Sequence, residues 1–278
     1  MNKQIPVNGW KTPRYPVLMV HGMGFRDRKR INYWGRIPKA LERMGCRIFY
    51  GGQDSNASID TNARVLADKI KAIISETGAE KLNVIAHSKG GVDVRAAICD
   101  YHLEKYIASV TTINSPHHGS KTVDLLLKFP DWLVRIAGAC TDLVFRILGD
   151  KEPDSYRVFH SLTTRKAEEF NQTHRNIPDI YYQSFAFVMR HPFGDIFLWF
   201  PSLIVWLIEG ENDGLLTPRA VKWGDFQGII RSNSGRGISH CDEVDMRRHR
   251  LTKKQGEGVS DIVDFYVDVV KKLAERGF

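Results

Sequence analysis

The chain has 278 residues, 42% of them hydrophobic and 26% charged. These proportions exclude collagen-like, coiled-coil and wholly disordered chains, and leave a folded protein long enough to bury a substantial core. Forty Lys and Arg against 32 Asp and Glu give a net charge of +8, which permits attraction to nucleic acid, anionic lipid or acidic substrates without choosing among them. Cys46, Cys99, Cys140 and Cys241 lie far apart with no CxxC pair, so neither a zinc knuckle nor a dense disulfide framework is expected.

In chain order, residues 1–9 carry no apolar stretch or cleavage site of the signal-peptide kind, so the expected location is cytoplasmic, or secreted if the chain is a mature form. Residues 15–20 form a short continuous apolar run into His21-Gly22, as a buried parallel strand would, and residues 47–50 before Gly51-Gly52 form another. From 59 to 77, Val65, Ala67, Ile70, Ile73 and Ile74 recur at helical spacing, and Gly78 is placed to stop the helix. Residues 82–86 then read as a strand, 90–99 as a helix, and 108–113 and 181–187 as further strands. This alternation predicts right-handed crossovers in a mostly parallel sheet with helices on both faces. Residues 196–208 form the longest apolar stretch, interrupted by Pro201 and well short of the roughly 20 residues of a membrane span; burial in the core is preferred over a lipid-facing surface. Val259, Ile262, Val263, Tyr266, Val269, Val270 and Leu273 predict one face of a closing amphipathic helix. No repeat, low-complexity tract or Pro/Ser-rich linker interrupts the chain, so one domain over 1–278 with an insertion at 121–150 is expected.

Between the strand at 82–86 and its helix stands Ala86-His87-Ser88-Lys89-Gly90-Gly91. In a G-x-S-x-G elbow the serine occupies a sharp strand-to-helix turn and its small neighbours expose the hydroxyl. Ala86 replaces the first glycine. Ser88 as a plain helix cap is the competing reading, and the flanking strand and helix favour a nucleophile. Acyl transfer also needs N–H groups aimed at the developing oxyanion. In such elbows these come from the residue after the serine and from the loop after an earlier strand, here Lys89 and Met23 of His21-Gly22-Met23-Gly24, although a glycine-rich turn alone would look similar. An acid and then a histidine should follow the serine. Glu211-Asn212-Asp213-Gly214 and Ser239-His240-Cys241-Asp242 come in that order; Asp213 is preferred as the acid, with Glu211 the alternative, and His240 is preferred over surface histidines such as His102, His160, His174 and His191.

With these motifs placed, the sequence resembles the bacterial triacylglycerol lipases of the Pseudomonas and Burkholderia type within the α/β-hydrolase superfamily. The matching pieces are HGM (21–23), AHSKGG (86–91), TTINSPHHGS (111–120), NDGL (212–215) and HCDEV (240–244). The resemblance implies an α/β-hydrolase fold, a Ser88, Asp213, His240 triad and an oxyanion hole from the Met23 and Lys89 amides. It also implies a structural calcium ion held near the histidine loop by two aspartates, for which Asp242 and Asp195 are the candidates. The competing reading pairs Asp242 with Arg247 or Arg248 and leaves Asp195 capping a turn. Residues 121–150 are unusually apolar, with Leu126, Phe129, Trp132 and Leu133 among them. In a lipase this is the position of a helical lid over the acyl trough; a fixed helical hairpin is the alternative.

Arg26, Arg28, Lys29 and Arg30 follow the oxyanion loop, and Arg247, Arg248, Arg250, Lys253 and Lys254 follow the histidine loop. They read first as a solvated face and second as contacts for anionic lipid headgroups; no nucleic-acid motif accompanies them. The expected function is hydrolysis of carboxylic esters, foremost of acylglycerols, through an acyl-enzyme and without an organic cofactor. A phospholipase A1, lysophospholipase or short-chain esterase is the alternative within that class, and a non-catalytic membrane- or partner-binding protein the alternative outside it.

Overall fold

The computed structural model describes residues 11–24, 26–27, 32–254 and 256–278. The calls on residues 1–9, Arg28, Lys29 and Arg30 lie outside the described residues. Six strands, β1 (Val17–Val20), β2 (Ile48–Tyr50), β3 (Leu82–His87), β4 (Ile107–Ile113), β5 (Tyr181–Phe187) and β6 (Asp225–Ile230), form one sheet in the order β2-β1-β3-β4-β5-β6. Every pairing is parallel, so the expected α/β architecture is borne out.

Both faces of the sheet are covered, which is why its central strands read as unbroken apolar runs. Val17, Met19, Ile85, Phe185 and Phe187 point to one core with Trp34, Ile37, Leu41 and the stripe Phe265, Tyr266, Val269, Val270 and Leu273. The alternate residues Leu18, Val20, Val84, Ala86 and Val110 point to a second core with Leu66, Ile70 and Ile73. The helices of these layers are α1 (Ile37–Arg43), α2 (Ile59–Thr77), α3 (Lys89–Asp100) and, at the C-terminal end, α10 (Ile262–Glu275). Ser58 caps α2 by accepting from Thr61 N at 3.2 Å, and Gly78 ends it with φ 63°. The closing helix starts at Ile262 instead of Val259, whose N–H bonds Arg231 O at 2.8 Å. Asp261 caps the helix by accepting from Val263 N at 3.1 Å, which sets the later start.

Periodicity does not reveal α1, a seven-residue helix with Pro38 in its first turn, or β6, a half-exposed edge strand containing Gly228. Between β4 and β5 run α4 (Lys121–Leu126), α5 (Asp131–Ile147), α6 (Ser155–Ser161) and α7 (Thr164–Thr173); between β5 and β6 run α8 (Trp199–Glu209) and α9 (Pro218–Val221). The preferred burial of residues 196–208 is corrected here. Pro201 fits the first turn of α8, where no intrahelical N–H is required. Ser202 and Val205 turn inward, but Leu207 on the helix and Ile196 and Phe197 in the turn before it are about three-quarters exposed at 77%, 76% and 77%. A helix with apolar residues on every side can bury only the face it packs, and the rest of this one is surface. Among the described residues no helix is long and apolar enough to cross a membrane.

Candidate active site

β3 ends at His87, and Ser88 turns the chain into α3 with φ 53° and ψ −134°. This is a costly conformation for a residue with a side chain, and the neighbouring glycines permit it. A Cβ on Gly22 would lie 2.6 Å from Ser88 Cβ, while one on Gly90 would strike the His21 carbonyl. Ser88 N donates to Ile113 O at 2.9 Å, tying the elbow to the neighbouring strand.

The structure brings together three residues that are far apart in the chain. Ser88 Oγ lies 3.0 Å from His240 Nε2, and His240 Nδ1 lies 2.6 Å from Asp213 Oδ2. An ionised carboxylate only accepts, so Nδ1 carries the ring proton and Nε2 is left to accept from the serine hydroxyl. Asp213 is fully buried, and its Oδ1 accepts from Leu215 N at 2.8 Å and Leu216 N at 2.7 Å. Burial alone pushes its pKa up, but the His240 charge and hydrogen bond and the two amides outweigh that and hold it below the usual carboxylate range. Glu211, the alternative acid, instead pairs with Arg231 at 2.5 Å on the surface.

Lys89 opens α3, so its amide is among those a helix leaves without an intrahelical partner. Its side chain contributes nothing at the elbow: Nζ is buried against Asp93, 2.7 and 2.9 Å from the two carboxylate oxygens. Met23 sits in the loop after β1, which the close approach of Gly22 holds beside Ser88.

Beneath the histidine lies a polar network that sequence reasoning did not assign. Gly22 N donates to Tyr33 Oη at 3.1 Å, Tyr33 Oη lies 2.7 Å from His87 Nδ1, and His87 Nε2 lies 2.9 Å from Glu243 Oε2. Burial pushes the His87 pKa well below its ordinary value, helped by the His240 charge. Neutral His87 therefore accepts from Tyr33 and donates to Glu243. The His87 and His240 rings are 4.4 Å apart between centroids, so this neutrality also removes a like charge from beside His240. Glu243 moves the other way: burial, then the Asp213 charge, push its pKa well above normal and favour its protonated form. The quoted HCDEV motif contains Glu243, but only the fold shows which neighbours it meets.

His87, His240 and Glu243 bring ligand-type atoms within 4.8 Å of one another, but each already holds the hydrogen bonds described above. Asp195 and Asp242 both reach Arg247, where the competing sequence reading had only Asp242 pair with it: Nη2 lies 2.5 Å from Asp195 Oδ2 and Nε 3.3 Å from Asp242 Oδ1. Asp195 also caps a turn, its Oδ1 accepting from Phe197 N at 2.8 Å.

The 121–150 segment forms α4 and α5, whose outward side is apolar. Leu126 of α4, Phe129 of the turn between them, and Trp132, Leu133, Ile136 and Ile147 of α5 are all exposed, and Gly138 is the buried residue of α5. Carboxylates fasten both ends of the segment. Glu209 accepts from Thr122 N at 2.9 Å, and Asp150 accepts from Ser55 N at 3.1 Å and Asn56 N at 2.8 Å. Among the described residues, part of the basic rim is paired: Arg26 lies 3.2 Å from Asp54 and 3.7 Å from Asp150, and Arg250 lies 3.5 Å from Asp261. Lys253 and Lys254 are exposed.

A family model described as the alpha/beta hydrolase fold matches residues 15–222, a span that contains Ser88 and Asp213. The chain is similar to triacylglycerol lipase 2 of Saccharomyces cerevisiae, 28% identical over 89% of this chain and 75% of that protein. It is also similar to a triacylglycerol lipase of Burkholderia plantarii, 30% identical over 63% of this chain and 51% of that protein, and so spans about half the length of this bacterial relative. Among solved structures, the mature form of the Bacillus licheniformis lipase BlEst2 superposes with a TM-score of 0.64 at 23% identity, covering 88% of this chain and 92% of that one; this likeness bears on the fold.

Proposed function

The chain belongs to the α/β-hydrolase family, and from that premise we propose that it is a serine carboxylic ester hydrolase of the lipase type, with acylglycerols as its substrate class. The observation that carries this reading is the relay of Ser88, His240 and Asp213 at 3.0 and 2.6 Å, with the serine on a strained elbow. The similarity to proteins named triacylglycerol lipase supports the ester chemistry.

In the proposed cycle His240 Nε2 takes the Ser88 proton as Oγ attacks the ester carbonyl, and the Met23 and Lys89 amides stabilise the oxyanion. Protonated His240 then gives its proton to the leaving alcohol, forming an acyl-enzyme at Ser88. Water, deprotonated by His240, attacks the acyl carbonyl; the acid leaves and the proton returns to Ser88. Asp213 fixes the imidazole tautomer and faces its positive charge in both halves. The apolar outer sides of α4, α5 and α8 are the part of the molecule that meets lipid, and α4 with α5 acts as the lid.

A phospholipid substrate draws its support from the basic rim, but Arg26, Arg247 and Arg250 are already engaged by carboxylates, which favours an uncharged acylglycerol. A membrane-binding protein without catalysis would have no use for the relay. Reaction with a fluorophosphonate followed by peptide mapping should place one adduct on Ser88. A rate panel over short-chain esters, triglycerides and phospholipids should then rank triglycerides first. Folded protein that yields no Ser88 adduct, even with detergent added to open the lid, would end the hydrolase reading.

A further inference from the structure

Asp195 precedes α8 and Asp242 follows His240 by two residues, yet their carboxylates meet the same cation, which the chain itself supplies. Arg247 reaches Asp195 Oδ2 with Nη2 at 2.5 Å and Asp242 Oδ1 with Nε at 3.3 Å. The two carboxylate side chains are 0% and 2% exposed and the arginine 23%. The other two carboxylate oxygens each hold a partner as well, and Asp195 Oδ2 holds a second. Ser239 Oγ donates to Asp195 Oδ2 at 2.6 Å, Phe197 N to Asp195 Oδ1 at 2.8 Å, and Ser239 N to Asp242 Oδ2 at 3.3 Å.

A calcium ion needs six to eight oxygens at about 2.3–2.6 Å. Here the two aspartates already accept from two amides, a hydroxyl and a guanidinium, and the guanidinium would stand beside any dication placed between them. These residues do not fit the calcium that the family resemblance implies.

We propose that Arg247 is the resident cation of this site, binding Asp195 to Asp242 in place of a metal ion, so that the histidine loop keeps its shape independently of calcium. The planar fork of arginine suits the task, since two of its nitrogens face two separate carboxylates while the charge persists at any physiological pH. The clasp acts on the candidate site through one residue. Ser239 contacts both aspartates and immediately precedes His240, whose own N–H donates to Asp213 O at 2.8 Å. Removing the cation would leave two buried carboxylates facing each other across Ser239.

The test needs no assumption about the reaction. Thermal melts of the intact protein are recorded in chelator and in millimolar calcium, calcium is titrated by calorimetry, and Arg247→Gln and Arg247→Lys are melted beside the wild type. The expected result is one wild-type Tm in both buffers, no calcium-binding heat, a Tm about 10 °C lower for Arg247→Gln, and a smaller loss for Arg247→Lys. A wild-type melt that falls in chelator and recovers with calcium, one calcium bound per chain, or an Arg247→Gln melt equal to wild type would each overturn the proposal. If Arg247→Gln does not fold, the wild-type calcium measurements and the lysine variant still decide.

Discussion

Asp213 and Glu243 are buried carboxyl groups served by one donor, the Asn114 Nδ2, which lies 2.5 Å from Asp213 Oδ2 and 2.9 Å from Glu243 Oε1. Two negative charges this close in a dry pocket cannot both persist, and the environment separates them: Asp213 is held ionised and Glu243 is held protonated. One charge therefore remains to face the imidazolium. Replacing Glu243 by Gln keeps the size and neutrality, so kcat/KM on a soluble ester should stay within about threefold of wild type. Glu243→Ala leaves the buried His87 Nε2 without its acceptor and should cost about 1–3 kcal/mol of stability. A Glu243→Gln variant as inactive as an alanine at Ser88 would show that Glu243 acts as an anion.

The same assignment fixes a pH dependence. A carboxyl whose folded pKa is raised contributes stability that is fully present below its unfolded value near 4.5, and loses it as pH rises towards the folded pKa. Glutamine has no such term. The stability of Glu243→Gln relative to wild type should therefore grow with pH above about 4.5, by up to roughly 1.4 kcal/mol per pH unit. Denaturant melts at several pH values check this, and a flat difference would mean Glu243 is ionised in the folded protein.

His21 gives the opposite slope. Burial is the main cause that lowers its pKa from 6.5 to about 4, so the folded protein keeps it neutral while the unfolded chain takes up a proton as pH falls below 6.5. That penalty develops between about 6.5 and 4 and amounts to about 3 kcal/mol at its full extent. His21→Asn should narrow its stability gap to wild type as pH is lowered through this window. A gap that widens on acidification would contradict a buried neutral His21.

Ser88 carries backbone strain that its side chain cannot relieve. At φ 53° and ψ −134° alanine is as strained as serine, whereas glycine is not. Both Ser88→Ala and Ser88→Gly should lose ester turnover to about a millionth of wild type. Ser88→Gly should unfold at a higher denaturant concentration than Ser88→Ala, by about 1 kcal/mol or more. Equal stability of the two variants would remove the strain.

The parts of this picture legible in the sequence are those encoded locally. Strands buried on both faces read as apolar runs, and the elbow, the Asp213 turn and the His240 loop each carry their own short motif. The Asn114, His87, Tyr33 and Glu243 network was not legible, because its members come from a strand end, two loops and a short helical turn that meet only through sheet register. Residues 196–208 fail for another reason: a helix apolar on every side has no stripe to show which face is buried, so burial and exposure look alike in the sequence. Residues 225–230 hide because an edge strand need not be apolar.

The exposed apolar side of α5 gives a prediction that separates lipid contact from chemistry. Trp132 of α5 and Phe129 in the turn just before it are 61% and 60% exposed, so changing both to Ser removes little packing, and Tm should shift by no more than about 2 °C. Each large aromatic withdrawn from a lipid surface forfeits roughly 1.5–3 kcal/mol of transfer energy, so binding to triglyceride emulsions should weaken by at least about tenfold. Hydrolysis of a soluble short-chain ester, which needs no interface, should remain close to wild type. If the double variant lost activity on both substrates equally, these side chains would belong to the acyl site itself; if it lost neither, the lipid-facing surface would have to lie elsewhere, with α8 the remaining apolar helix.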